Sequence, residues 1–239
     1  MQIIAEPKAE RAIMLRAIKA SAIDGKVKLL EAGCGQKWGL IPDGIELHIT
    51  GVDLDADALR IRQQTRNDLQ VAVVGDLHDV VLPKSTYDVV YCSYVLEHVH
   101  DAEIILDRMV AALRPGGRFI LRVPDGKSVF GWFAKNTPHR THVWFKKYVE
   151  RFPDAGKPGH APYPTVYDPV VSAKGLTDWA GRVGIEIEQS FASNHFMKKF
   201  GRLRPAVQTG LNGVAALSRG QLTARWNNVG FVFVKGAQV

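Results

Sequence analysis

The sequence predicts an α/β fold, a parallel sheet covered by helices on both faces. Two observations carry this. Short apolar runs that stop at an acid or a glycine alternate with segments of helical periodicity. The first of these runs ends in G-x-G, where a backbone must turn sharply. Sheets of this kind bind ligands outside the carboxyl ends of their strands.

The N-terminal MQIIAEPKAERAIMLRAIKA has scattered charges and no continuous apolar core, so an amphipathic helix is expected there, not a signal peptide. Val27–Glu31 (VKLLE) reads as a buried strand and Leu47–Asp53 (LHITGVD) as a second. Asp55 is placed to cap a helix running to Gln64. Val71–Gly75 is a third strand and the Val-rich Tyr87–Cys92 a fourth. Ile104, Ile105, Met109 and Leu113 mark a helix over Asp101–Leu113, ended by Arg114-Pro115-Gly116-Gly117. Arg118–Val123 is a fifth strand. Ser172–Val183 reads as a helix, Ile185–Phe191 as a strand and Val229–Lys235 as the final strand.

Two segments interrupt this alternation, 126–170 and 192–227. In the first, aromatic and basic residues crowd together, and Pro153–Pro169 holds five of the twelve prolines, which predicts an irregular loop. In the second, Phe196, Phe200, Leu203, Val207, Leu211, Val214 and Leu217 recur at helical steps, with Pro205 and two glycines expected to break or kink the helix. The chain is expected to be one domain (1–239) carrying these as insertions.

Of 239 residues, 46% are hydrophobic, enough to bury a full core, and no apolar run is long enough to span a membrane. The whole net charge of +7 arises from Ala192 onward, where seven Lys or Arg occur without an acid. That asymmetry suggests an anionic partner. Two thiols, Cys34 and Cys92, and no export signal make the cytoplasm the expected compartment. The basic stripe of 196–225 could lie on an anionic membrane face, or pack on the domain as a lid.

The loop LLEAGCGQKWG lacks the third glycine of a dinucleotide fingerprint, because Lys37 and Trp38 follow. A nicotinamide reading loses ground. An acid before G-x-G, together with GVDLD, VVGDLHDVVLPKSTYDVVYCSYVLEHV and LRPGGRFIL in order, resembles the class I S-adenosylmethionine-dependent methyltransferases, specifically the small-molecule type 11 family. The resemblance covers about Leu29 to Asp125 and implies a Rossmann-like sheet whose final strand is antiparallel.

It also implies a cofactor, S-adenosylmethionine, and its contacts. Gly33 and Gly35, with Cys34 between them, would let the backbone approach the methionine and ribose portions. Glu31 would orient the loop or meet the methionine amino group. Asp53 would accept from the ribose hydroxyls, and Leu54 would pack on adenine. Asp76 would take the adenine amino group beside Leu77, and Cys92 or Ser93 would line the pocket near the sulfonium. Trp38 would cover the methionine end or pack on the sheet. Because Pro42-Asp43-Gly44 follows so soon, the first helix is expected to be short or missing.

The acceptor is less constrained. Methylation of a hydroxyl needs alignment and a base. In PHRTHVWF, His139 and His142 sit one helical turn apart and are the chosen base candidates. A metal pair would need a third ligand that the sequence does not supply. Glu97-His98 is a second candidate pair, although such residues more often orient a helix start. A small-molecule or glycan hydroxyl, including a lipid-linked one, is the expected acceptor. RNA or protein methylation is the alternative. No DNA partner is expected, since no nucleic-acid module and no Asn/Asp-Pro-Pro-aromatic sequence follows the fourth strand. A binding protein that has lost turnover is the non-enzyme alternative.

Overall fold

The structure, a computed structural model, describes residues 1–148, 151–157 and 162–236. Eight strands form one sheet: β1 (Gln2–Ile4), β2 (Lys26–Ala32), β3 (Glu46–Asp53), β4 (Val71–Val74), β5 (Tyr87–Ser93), β6 (Leu113–Pro124), β7 (Glu186–Ser193) and β8 (Asn228–Val234). Their spatial order is β1-β7-β8-β6-β5-β2-β3-β4. The pairs from β4 to β6 are parallel, while β8 runs antiparallel between β6 and β7. The fold is the expected Rossmann-like one, with the expected antiparallel last strand.

Successive residues explain how both faces are covered. Leu29, Val89, Ile120 and Val232 face one side, where α1 (Pro7–Ala20) packs Ile13, Met14 and Ile18 and α2 (Ala56–Thr65) packs Leu59. Leu30, Val90, Phe119, Leu121, Phe231 and Phe233 face the other. There α3 (Ala102–Ala112) supplies Ile105, Leu106 and Met109, and α6 (Ala173–Val183) supplies Leu176 and Trp179. Burial on both faces is why these strands read as continuous apolar runs rather than alternating ones. Trp179 is 1% exposed, and its indole N–H donates to Asp107 Oδ1 at 2.9 Å, joining α6 to α3.

Caps fall where side-chain chemistry places them. Asp55 Oδ1 accepts from the N–H groups of Asp57 and Ala58, and Ser172 accepts from Gly175. Gly184 closes α6 at φ 74°.

Three local expectations change, and one holds. The N-terminal helix is preceded by a strand, β1, which pairs with β7; three residues are too short for a period to show. As expected, no helix lies between β2 and β3, because Pro42-Asp43-Gly44 arrives before one can form. The segment 126–170 holds two helices, α4 (Val129–Asn136) and α5 (His139–Tyr148), before its extended proline-rich part. Val149–Glu150 and residues 158–161 of this stretch lie outside the described residues. Pro205 starts a helix rather than breaking one: α7 (Arg204–Leu217) has it in the first turn, where the missing N–H costs nothing. A 3-10 run over His195–Leu203, kinked at Gly201, precedes it.

Candidate cofactor and acceptor site

The crevice forms where β2, β3, β4 and β5 end. The N–H groups of Gly33 and Cys34 both donate to the Val52 carbonyl, at 2.9 and 3.1 Å, folding the loop over β3. Gly33 and Gly35 have φ of 67° and 53°, the left-handed region. A Cβ on Gly33 would lie 2.2 Å from Val95 Cγ2, whereas one on Gly35 would meet nothing within 4 Å. Gly35 therefore presents bare backbone to open space.

Asp53 organises this loop. Its Oδ2 accepts from Gly35 N–H at 2.7 Å and its Oδ1 from Asp55 N–H at 2.9 Å. Two oxygens carry about four acceptor positions, so capacity remains for a diol. Leu54 beside it is 68% exposed, an apolar side chain held in solvent at the rim.

Glu31 turns away from open space. It is 4% exposed, with Oε2 2.8 Å from Arg62 Nη1. Burial raises its carboxyl to about 8 against the opposing pull of Arg62. Arg62, fully buried on α2, also donates to the Cys34 carbonyl at 2.9 Å and to Asp68 Oδ1 at 2.9 Å. The arginine thus fastens the glycine loop from behind, an arrangement the sequence reading missed. Arg62 shares the buried face of α2 with Ala58 and Leu59.

Cys34 is buried among apolar residues, and burial pushes its thiol up to about 12. Trp38 packs edge-on against Tyr91 at 5.2 Å and joins the sheet-side cluster. Its indole N–H is a buried donor with no partner. From α1, Arg11 bonds the Gly39 carbonyl, and Glu10 pairs with Arg122 at 3.0 Å and His195 at 2.7 Å. So α1 braces this end of the crevice, which no sequence signal announced.

At the β4 end, Asp76 Oδ1 accepts from the His78 backbone N–H at 2.8 Å and lies 2.7 Å from its Nδ1. Those bonds, the backbone one first, lower the Asp76 pKa. Burial works against a charge on His78, yet Asp76 and the His100 carbonyl outweigh it and raise its pKa. Leu77 is buried, and its carbonyl accepts from Arg108.

At the β5 end the two candidates separate. Cys92 is fully buried in the core facing α3, its thiol pKa raised by burial, so it does not line the crevice. Ser93, on the opposite pleat, is partly exposed. Tyr94 follows at φ 59°, with its ring 4.9 Å from the Arg122 guanidinium. A 3-10 turn over Leu96–His98 then buries Glu97 at 3% exposure. Its Oε2 has no hydrogen-bond partner, and burial raises its carboxyl to about 8. Its backbone carbonyl accepts from Val166 and Tyr167 N–H groups, seating the acceptor-side segment against β5.

A cavity of about 700 Å³ lies beyond β6, between α4, the 167–172 segment and the end of α7. Lys127, Trp132, Tyr167, Val214, Leu217 and Arg219 are among its walls. His139 and His142 are together on α5, ring centroids 6.2 Å apart, but neither lines this cavity. Thr137 Oγ1 gives its hydrogen to the Phe133 carbonyl, so His142 Nε2 must donate to Thr137 at 2.6 Å. Burial, then the neighbouring His139, lowers the His142 pKa. Among the described residues no group of three or more His, Cys, Asp or Glu could hold a metal ion.

A parallel sheet with an antiparallel last strand, a glycine turn at the first strand end and an acid at the second defines the class I methyltransferase fold. Residues 30–121 match a family model described as a methyltransferase domain, of type 11. A probable S-adenosylmethionine-dependent methyltransferase of Mycolicibacterium smegmatis is 35% identical over 101 residues, 41% of this chain and 38% of that protein. A ubiquinone biosynthesis O-methyltransferase of Idiomarina loihiensis is 29% identical over 131 residues, 46% of this chain and 52% of that one. The match thus spans about half or less of each relative's length. Among solved structures, an S-adenosylmethionine-dependent methyltransferase from Mesorhizobium loti aligns with a TM-score of 0.54 at 16% identity, covering 92% of this chain and 96% of that one. A geranyl diphosphate methyltransferase aligns at 0.58 and 12%, covering 95% and 84%. Residues 30–121 are thus similar to the type 11 methyltransferase domain, and the fold is that of class I S-adenosylmethionine-dependent methyltransferases.

The crevice fits that cofactor. Gly35 offers open backbone, Asp53 offers spare acceptor positions, Leu54 a free apolar surface and Trp38 an unpaired donor.

Proposed function

We propose that this protein transfers a methyl group from S-adenosylmethionine to an oxygen of a small molecule, or of a glycan or lipid-linked acceptor. One observation carries the reading: Asp53 holds the Gly35 turn while keeping acceptor capacity at the crevice rim. The cofactor supplies an electrophilic methyl group on sulfur. The protein's part is to seat donor and acceptor in line and keep water out. The cavity beyond β6 is the acceptor's place in this account, with Trp132 and Leu217 as apolar walls and Lys127 and Arg219 as cations.

A hydroxyl acceptor loses a proton on methylation. Glu97 is the carboxyl we assign to receive it. It sits at the β5 end next to the cavity-lining Tyr167, has an unpartnered oxygen, and is held near neutrality by burial. Neither Glu97 nor the histidines line the cavity wall, but Glu97 bonds through its backbone to the cavity-lining Tyr167 and keeps a free carboxyl oxygen, whereas His142 is bonded to Thr137, so the histidines rank behind it. O-methylation is supported by the names of the ubiquinone-biosynthesis relatives. The test is transfer of labelled methyl into fractionated extract of the source cells. Label in a small-molecule, glycan or lipid fraction that survives alkaline ester hydrolysis and is released as methyl iodide by hot hydriodic acid supports the reading. Label in RNA or protein moves the acceptor to that class, and no label favours a binding protein.

A further inference from the structure

We propose that the face formed by α4 and α5 is a docking surface for an anionic lipid bilayer. Helix α5, His139–Tyr148, has no buried residue at all. A helix of ten residues is marginal without an apolar face packed on something. Val143 and Phe145 are half-buried, but its two other large rings meet solvent: Trp144 is 59% exposed and Tyr148 63%. On the adjoining α4, Trp132 and Phe133 are each 42% exposed. From Gly126 to Tyr148 the chain has five Lys or Arg, six aromatics and no acid. Arg140, Lys146 and Lys147 form no ion pair among the described residues. Amphipathic rings beside unpaired cations match the headgroup region of an anionic membrane in both chemistry and charge.

The rings also argue for lipid over single-stranded nucleic acid. Base stacking needs open ring faces. Here Trp132 and Phe133 meet edge-to-face at 5.1 Å, Trp144 and Tyr148 tilt together at 5.9 Å, and Lys147 lies over the Tyr148 ring. They make an apolar ridge rather than separate platforms. The C-terminal stripe, by contrast, is largely consumed inside the fold. Met197 and Leu211 are buried with Val129 of α4, and Phe200, Val207 and Val214 pack on that cluster, leaving Leu203 and Leu217 outside. The membrane-facing element is therefore centred on α5 rather than on 196–225. Trp132 belongs to both the ridge and the cavity wall, so docking here would bring a lipid-linked acceptor to the cavity. That last step rests on the methyl-transfer reading; the surface itself does not.

Flotation of the full chain, without cofactor, tests the surface alone. Vesicles of phosphatidylglycerol with phosphatidylcholine should carry the protein up, and pure phosphatidylcholine vesicles should not. Trp144→Ala/Tyr148→Ala and Lys146→Glu/Lys147→Glu should each weaken binding by about tenfold or more. Both double variants should keep the wild-type melting temperature and S-adenosylmethionine affinity, since no side chain of α5 is buried. Failure to float, equal flotation with neutral vesicles, or full binding by both variants overturns the proposal. So does retardation of single-stranded RNA by protein that binds no vesicles.

Discussion

Gly35 donates its backbone N–H to Asp53 Oδ2 at 2.7 Å, so the turn after β2 and the acid after β3 are one unit. The two glycines of that turn serve different needs. Gly33 needs space as well as a left-handed backbone; Gly35 needs only the backbone. Gly35→Ala should cost about 1–2 kcal/mol in urea unfolding, the left-handed penalty. Gly33→Ala should cost about 1–3 kcal/mol more, because its Cβ overlaps Val95. Adding Val95→Ala should recover part of the loss at Gly33 and none at Gly35. Equal losses in the two single variants would contradict this division.

Arg62 should be the most costly charge in the molecule to remove. Arg62→Leu leaves Glu31 buried without its partner and frees the Cys34 carbonyl, so a loss of about 3–5 kcal/mol is expected. Pairing it with Glu31→Gln should cost less than the sum of the single changes, as a double-mutant cycle by denaturant unfolding would show. Additivity would mean the two side chains do not interact.

Glu97 gives a pH signature. Its folded pKa, about 8, lies above the ordinary carboxylate value of 4.5, so the folded state binds the proton more tightly. Its stabilising effect is full below about pH 4.5 and is lost as pH rises through about 8. Glu31 has the same sign, so the difference between wild type and Glu97→Gln isolates Glu97. The Gln variant should lose less stability between these pH values. As the proton acceptor, Glu97 should also give a kcat/KM that climbs toward pH 8, and Glu97→Gln should lower kcat by about 10²–10⁴-fold. A flat profile in wild type would remove it from that role.

The histidine pair supplies the opposing test. His139→Ala and His142→Ala should change kcat by less than about tenfold, well short of the loss expected for a general base. Loss of His142 should instead loosen the α4–α5 junction, since Thr137 then has no donor facing it. Collapse of kcat at unchanged KM in either variant would return the base to α5.

The sheet was legible because burial on both faces leaves an unambiguous record: runs such as VKLLE and YDVVYC have no polar side to hide. Asp53 was legible because a strand end, a glycine turn and an acid occur at fixed spacing. Cys92 against Ser93 was decided only by which pleat faces the core, and a one-residue shift reverses that. Arg62 and Glu10 were hidden for another reason. Each looks like a solvated helix charge, and only a partner far along the chain reveals that it is buried. The cavity beyond β6 joins α4 to α7, elements some 80 residues apart, and local periodicity cannot bring those together.

The central claim is that Asp53 and the turn it holds bind S-adenosylmethionine. Isothermal titration of the wild type and Asp53→Ala with S-adenosylmethionine, with NAD as control, tests it most directly. Saturable binding of S-adenosylmethionine and none of NAD is expected. Asp53→Ala should weaken that binding by about 10–100-fold, as expected for losing charged hydrogen bonds to a diol together with the loop anchor. Binding of NAD alone, or undiminished S-adenosylmethionine binding by Asp53→Ala, would contradict it.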